Sequence, residues 1–174
     1  MVVEIPRWTN AKNEINKKEY GNPIVQDQKN GKPRFVHDIF PYKGYIWNYG
    51  ALPQTYEDPE TKDKFTGCIG DGDPVDVIEI GSKLGVLGEI KKVKILGTVC
   101  LIDGDETDWK IIAIDVNDPI SNNVRSVGDL ESVFPGLLSA TKNWFTDYKI
   151  PDGKPKNSWG LEGQAKDVVT NHNS

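Results

Sequence analysis

The first two-thirds of the chain carry short apolar runs, several alternating with polar residues at the period of two that a half-buried strand imposes. "VVEIPRW" (residues 2–8) opens with β-branched residues and stops at Pro6. The aromatic-rich segments "PRFVHDIF" (33–40) and "GYIWNYGAL" (44–52), bounded by Pro41, Gly44 and Pro53, are read as strands. "DPVDVIEIG" (73–81) and "EIKKVKILGTVCLID" (89–103) follow, and "DWKIIAIDV" (108–116) alternates so little that burial on both faces is expected. Towards the C-terminus the spacing changes. "GDLESVF" (128–134) predicts a short helix with Asp129 near its start. In "PGLLSATKNWFTDYK" (135–149), Leu137, Leu138, Thr141, Trp144, Phe145 and Tyr148 recur at three- and four-residue spacing. That pattern predicts an amphipathic helix with Pro135 in its first turn and Pro151 as its stop. From residue 157 the tail "NSWGLEGQAKDVVTNHNS" is mostly polar, so a short helical segment at most is expected, then fraying. The sum is a mainly β (α+β) fold: a small barrel with one or two helices packed on it, in one domain of residues 1–174, its end atypical from about 158.

Composition narrows this little. The 174 residues are enough for one sizeable core, and 37% hydrophobic with 27% charged residues suits a globular chain. A net charge of −5 opposes general nucleic-acid binding, which needs a basic face, but not a local basic pocket. No apolar run approaches the roughly 20 residues of a membrane helix. The start, "MVVEIPRWTN", has no basic region followed by an apolar one, so no secretory signal is read. Cys68 and Cys100 form no CxxC pair and are read as reduced packing residues of a cytoplasmic protein.

The chemistry concentrates in two acidic clusters. "GDGDPVDV" (70–77) holds Asp71, Asp73 and Asp76; if the backbone is extended there, Asp71 and Asp73 face one way. "DGDETD" (103–108) closes the hairpin between the two best strands and holds Asp103, Asp105, Glu106 and Asp108, with Lys110 on the same face as Asp108. A solvated turn explains the second cluster better than a site does; for the first, turn and metal site stand level. An EF-hand loop is excluded, because Asp76 falls where glycine is needed and Ser82 where the bidentate glutamate is needed. An oxygen-only set suits Mg²⁺ or Mn²⁺, and carboxylate-held Mg²⁺ usually meets phosphate. Lys12, Arg34 and Lys149, with Tyr45, Tyr49 and Tyr148, supply partners for such a ligand; each alone reads more simply as a surface charge or packed aromatic. Arg34 is the least ordinary, since a guanidinium in an apolar strand needs an anion.

"GDGDPVDV" matches the D-x-D-P-x-D-V motif of the family I soluble inorganic pyrophosphatases. "MVVEIPRWTNAKNEI", "FPYKGYIWNYGALPQTYEDP", "DETDWKIIAIDVNDP" and "PGLLSATKNWFTDYKIPDGKPKN" resemble eukaryotic members in the same order, so the resemblance covers roughly residues 2–157. It implies a closed five-stranded OB-like barrel and Mg²⁺-dependent hydrolysis of pyrophosphate, with several ions bound and Mn²⁺ as a possible substitute. By similarity Asp71, Asp76 and Asp108 bind the two metals that activate water, and Asp103 and Glu14 hold further ones. Asp73 is the general base, adjusted by a hydrogen bond from Tyr49. Lys12, Arg34, Tyr148 and Lys149 hold phosphate, and Glu4, Tyr45, Glu106 and Lys110 line the cavity in support. Crowded acids are a cost in the metal-free protein that cations offset, so metal is expected to stabilise the fold.

The resemblance also implies a homodimer with Arg7-Trp8 in its contact. After "KPKN" the chain departs from the family's pattern, and members normally carry a segment ahead of "VVEIPR" and a long C-terminal one. Those departures motivate a rival reading, a catalytically silent scaffold subunit of the same fold; an OB-type nucleic-acid binder is a third.

Overall fold

The computed structural model describes residues 1–159. Eleven strands and two α-helices follow in chain order: β1 (Val2–Ile5), β2 (Asn13–Ile15), β3 (Ile24–Gln26), β4 (Gln28–Lys29), β5 (Lys32–Pro33), β6 (Asn48–Ala51), β7 (Ile69–Gly70), β8 (Asp76–Glu79), β9 (Val93–Asp103), β10 (Glu106–Asp115), α1 (Val127–Val133), α2 (Leu137–Asp147) and β11 (Ser158–Trp159). The main sheet runs β1-β6-β8-β10-β9-β11, with β7 also on β10; β2-β3 and β4-β5 are separate ladders. β10 pairs in parallel with β8 and β7, and antiparallel with β9. The edge strand β1 is hydrogen-bonded to the segment that leads into β9: Val3 N–H donates to Glu89 O (2.9 Å) and Lys91 N–H to Met1 O (2.9 Å).

β10 is buried on both faces, as its continuous apolar run predicts. Ile112 and Ile114 join the larger core with Ile78, Leu101, Trp47 and Trp144; Ile111 and Ala113 join a second cluster with Met1, Val3 and Val77. α1 begins where expected, the Asp129 carboxylate accepting hydrogen bonds from the amides of Arg125 (2.8 Å) and Ser126 (3.2 Å). α2 buries Thr141, Trp144 and Phe145, three and four residues apart, against the sheet. Trp47 stacks on Phe145 at 4.9 Å, and its indole N–H donates to Thr141 Oγ1 (3.0 Å). Each such fully buried ring contributes about 1.5–3 kcal/mol by removal from water. The Trp144 N–H reaches Gly44 O (2.9 Å), so the helix is pinned at a set height and delivers Tyr148-Lys149 to one end of the sheet.

Several expectations need correction. Residues 33–40 do not form one strand: only Pro33 lies in β5 and Phe35 in an isolated bridge to Ala11. Their amides serve irregular links instead, such as Arg34 N–H to Asp27 O (2.7 Å) and Val36 N–H to Asn10 O (2.8 Å). In residues 44–52 only β6 is regular. Pro135 stands outside α2, whose N-cap is Gly136 at φ 79°, and the helix ends at Asp147, ahead of the 3₁₀ turn that contains Pro151. In the tail Ser158-Trp159 pair with Ile102 and Leu101; the helical segment and fraying expected beyond fall on residues 160–174, outside the described ones.

Candidate active site

The strands converge on a cavity of about 490 Å³. Alternation along β10 places Asp108 and Lys110 on one face, and the parallel register sets Lys110 opposite Asp76 at the start of β8. The Lys110 ammonium lies 2.6 Å from Asp76 Oδ2, 2.6 Å from each Asp108 oxygen and 3.0 Å from the Tyr49 hydroxyl. From β1, Glu4 accepts from the Ile15 amide (2.7 Å), which ties β2 to the cavity rim. Lys12 reaches Glu14 (2.6 Å) and Asp27 (3.7 Å). Lys149, just beyond α2, pairs with Asp103 at the end of β9.

Every residue assigned to the site by resemblance lines this cavity except Glu106: Glu4, Lys12, Glu14, Arg34, Tyr45, Tyr49, Asp71, Asp73, Asp76, Asp103, Asp108, Lys110, Tyr148 and Lys149. Glu106 is instead exposed at the β9–β10 turn, opposite Asp103. Two further expectations are corrected. The backbone at 71–73 is not extended: Gly72 has φ +77° and the Asp73 amide donates to Asp71 Oδ1 (2.8 Å), so these acids sit on a tight turn. The Tyr49 hydroxyl donates to Asp76, not to Asp73, because β6 and β8 are neighbours in register while Asp73 lies outside the ladder.

Three participants were not singled out in the sequence. Asp27 is the anion that Arg34 requires, 2.9 Å from its Nη1. Lys17 donates to Gly72 O (2.6 Å) and to the Asp73 carboxylate. Glu57, only 7% exposed, accepts from the Trp109 amide (2.9 Å), and carboxylate oxygens of Glu57, Asp71 and Asp108 lie within 4.8 Å of one another. The sequence signal for Asp27 was the unmatched guanidinium; for Glu57 and Lys17 no local signal existed.

Burial and mutual repulsion raise several of the carboxyls gathered here. Burial pushes Glu57 up to about 8 against the Trp109 amide, with Asp108, Asp71 and Asp76 adding repulsion. Burial raises Glu4 to about 7 and also raises Asp71 and Asp108. Burial alone would discharge Lys110; Asp108 and Asp76 outweigh it and hold the ammonium charged. A set of oxygen donors, crowded, partly desolvated and without His or Cys, can hold a hard divalent cation.

The family model described as "Inorganic pyrophosphatase" matches residues 1–174. Over 168 residues the chain is 61% identical to "Inorganic pyrophosphatase" of Drosophila melanogaster, covering 97% of this chain and 50% of that protein. The chain is similar in structure to "inorganic pyrophosphatase from Schistosoma japonicum", with a TM-score of 0.95 at 52% identity and a match covering 99% of this chain and 62% of that one. It is also similar to "N-terminal domain truncated Trypanosoma cruzi Vacuolar Soluble Pyrophosphatases in complex with PPi", with a TM-score of 0.86 at 41% identity, over 98% of this chain and 65% of that one. The chain thus spans about half the length of the curated relatives it matches.

Proposed function

The chain belongs to the inorganic pyrophosphatase family, and from that premise we propose that it hydrolyses inorganic pyrophosphate to two phosphates with Mg²⁺ as its metal. One observation carries the reading: a single cavity gathers the carboxylates of Glu14, Asp71, Asp76, Asp103 and Asp108 together with the cations of Lys12, Arg34 and Lys149. Anions alone suit a metal and cations alone suit a phosphate; both around one space suit a metal–phosphate complex. The Trypanosoma cruzi relative, whose crystal structure is of a complex with PPi, supports the same ligand.

Asp71, Asp76 and Asp108 would hold the first cations, and Asp103 and Glu14 would hold further ones that accompany substrate. Bound divalent ions supply charge neutralisation and lower the pKa of a nearby water. Lys12, Arg34, Tyr148 and Lys149 bind the phosphate oxygens. Asp73, on the open rim with a half-exposed side chain, takes the proton as water oxygen attacks phosphorus. The bridging P–O bond breaks, and its electron pair leaves on the second phosphate, whose charge the lysines stabilise. Tyr49 and Lys110, hydrogen-bonded to each other, both donate to Asp76 Oδ2 and orient it.

The same reading extends to architecture and setting. The strands β1, β6, β8, β10 and β9 form a closed five-stranded OB-like barrel; the hydrogen bonds that join Met1 and Val3 to residues 89–91 support the closure. The family match over residues 1–174 supports a single domain. A homodimer forms through Trp8, which is 55% exposed with the Arg7 guanidinium 5.8 Å from its ring centre. The free thiols of Cys68 and Cys100 support a cytoplasmic setting, and no helix among the described residues is long and apolar enough to cross a membrane.

The deciding experiment is phosphate release from pyrophosphate with Mg²⁺, with Asp73→Asn alongside. Loss of the general base should slow turnover roughly 10²–10⁴-fold. A folded, Mg²⁺-loaded wild type that releases no phosphate overturns the activity; an Asp73→Asn enzyme as fast as wild type overturns the role of Asp73.

A further inference from the structure

We propose that Glu57 is a carboxylate of the cation site, set beside Asp71 and Asp108 and contributing directly to metal affinity; the role rests on the metal-dependent reading above and adds a residue to it. Glu57 is 93% buried by its 7% exposure, its Oε1 accepts from the Trp109 amide at 2.9 Å, and its Oε2 is shielded from water with no hydrogen-bond partner among the described residues. A buried carboxyl that served only to pack would lose little by becoming apolar, and one kept for structure would find a donor for both oxygens. A Glu57 oxygen instead lies within 4.8 Å of oxygens of Asp71 and Asp108. Ligand oxygens about 2.0–2.1 Å from a Mg²⁺ ion sit at most about 4.2 Å apart across it, so the three need only a slight contraction to share one ion.

The surrounding backbone holds Glu57 in that place. The Glu57 amide donates to Asp73 O (2.9 Å) and the Gly72 amide donates to Glu57 O (2.8 Å), so the Asp71–Asp73 turn is stitched to residue 57 on both sides. Gly70 makes the approach possible: a Cβ there would stand 2.4 Å from the Glu57 carbonyl carbon. Trp109, the residue after Asp108, aims the side chain through its amide. Three segments far apart in sequence thus fix one carboxylate beside two others, and cation binding is the interaction that relieves their repulsion.

The test uses Mn²⁺ as probe. Free Mn²⁺ is followed by electron paramagnetic resonance during titration of wild type, Glu57→Gln and Asp71→Asn. Glutamine keeps the acceptor for Trp109 and removes only the charge. The expected result is a tightest Mn²⁺ Kd weakened roughly 10–100-fold in Glu57→Gln, with the metal-free melting temperature unchanged or raised. A pure packing role predicts the reverse: a lower metal-free melting temperature and a Kd within about twofold of wild type, which overturns the proposal. If Glu57→Gln fails to fold, Glu57→Asp decides, since it keeps the charge but withdraws it by one methylene; an unchanged Kd in that variant overturns the proposal as well. Failure of the wider reading looks different: wild type and Asp71→Asn would then bind Mn²⁺ equally weakly.

Discussion

Lys110 and Asp108, two residues apart on one face of β10, form a buried ion pair in which the ammonium lies 2.6 Å from both carboxylate oxygens. Asp76 on the neighbouring strand is also 2.6 Å from that ammonium, so one cation serves two acids. Lys110→Met leaves both without their internal counter-charge. Breaking a buried pair on one side costs about 3–5 kcal/mol, which for a chain of this size is a fall of on the order of 10 °C in melting temperature. Added Mg²⁺ should restore more stability to Lys110→Met than to wild type, since it replaces the missing charge. Thermal melts with and without Mg²⁺ check this; an equal Mg²⁺ effect in both proteins contradicts it.

Stability of the metal-free protein should fall as pH rises through neutrality. Glu57 is raised to about 8 and Glu4 to about 7, both from an ordinary value of 4.5. A carboxyl raised in the folded state contributes stability that is full below its unfolded pKa and lost as pH climbs through the folded one. The carboxyls of Asp27, Asp115, Asp118 and Asp152 are lowered, so their contribution is lost only at pH values below about 3.8. Melting temperature in EDTA should therefore decline from about pH 5 to about pH 8, and Glu57→Gln should flatten the decline. A melting temperature that climbs over that interval would falsify the assignment.

Gly70→Ala is expected to act on the cation site without touching any acid. The new methyl would meet main-chain atoms of Glu57 at 2.4 and 2.5 Å, which cannot swing aside as a flexible side chain would. Overpacking of this kind costs about 1–3 kcal/mol. Weaker Mn²⁺ binding should accompany the loss. Urea unfolding together with the Mn²⁺ titration measures both, and unchanged binding despite lowered stability would separate the turn from the site.

Arg34→Ala should spare the fold and damage the chemistry. The guanidinium is partly exposed and pairs with Asp27 on an irregular loop, away from the buried core. Loss of a charge-assisted phosphate contact of about 1.5–3 kcal/mol should raise the KM for pyrophosphate, or lower kcat, by about 10- to 100-fold. Steady-state kinetics and circular dichroism together decide; unfolding would mark Arg34 as a structural ion-pair residue.

Some of this was legible in the sequence. Local period sufficed for β8, β9, β10 and both helices, because each makes its pattern within its own residues. It misled at residues 33–40 and 44–47, where aromatic side chains suit a strand but the amides bond to loops. Tyr49 shows the same limit within the cavity: its partner, Asp76, follows from the pairing of β6 with β8.

By itself, the sequence determined which acids and cations exist, that Asp108 and Lys110 share a face, and which family the ordered motifs resemble. Those properties are local, or follow from the order of residues alone. Only the tertiary structure decided that Asp27 neutralises Arg34, that Lys17 sits on the Asp73 turn, and that Glu57 lies beside Asp71 and Asp108. Each joins residues 7 to 56 positions apart through loops with no period of their own. A side chain's charge is written in its residue type, whereas what opposes that charge depends on where the backbone brings the rest of the chain.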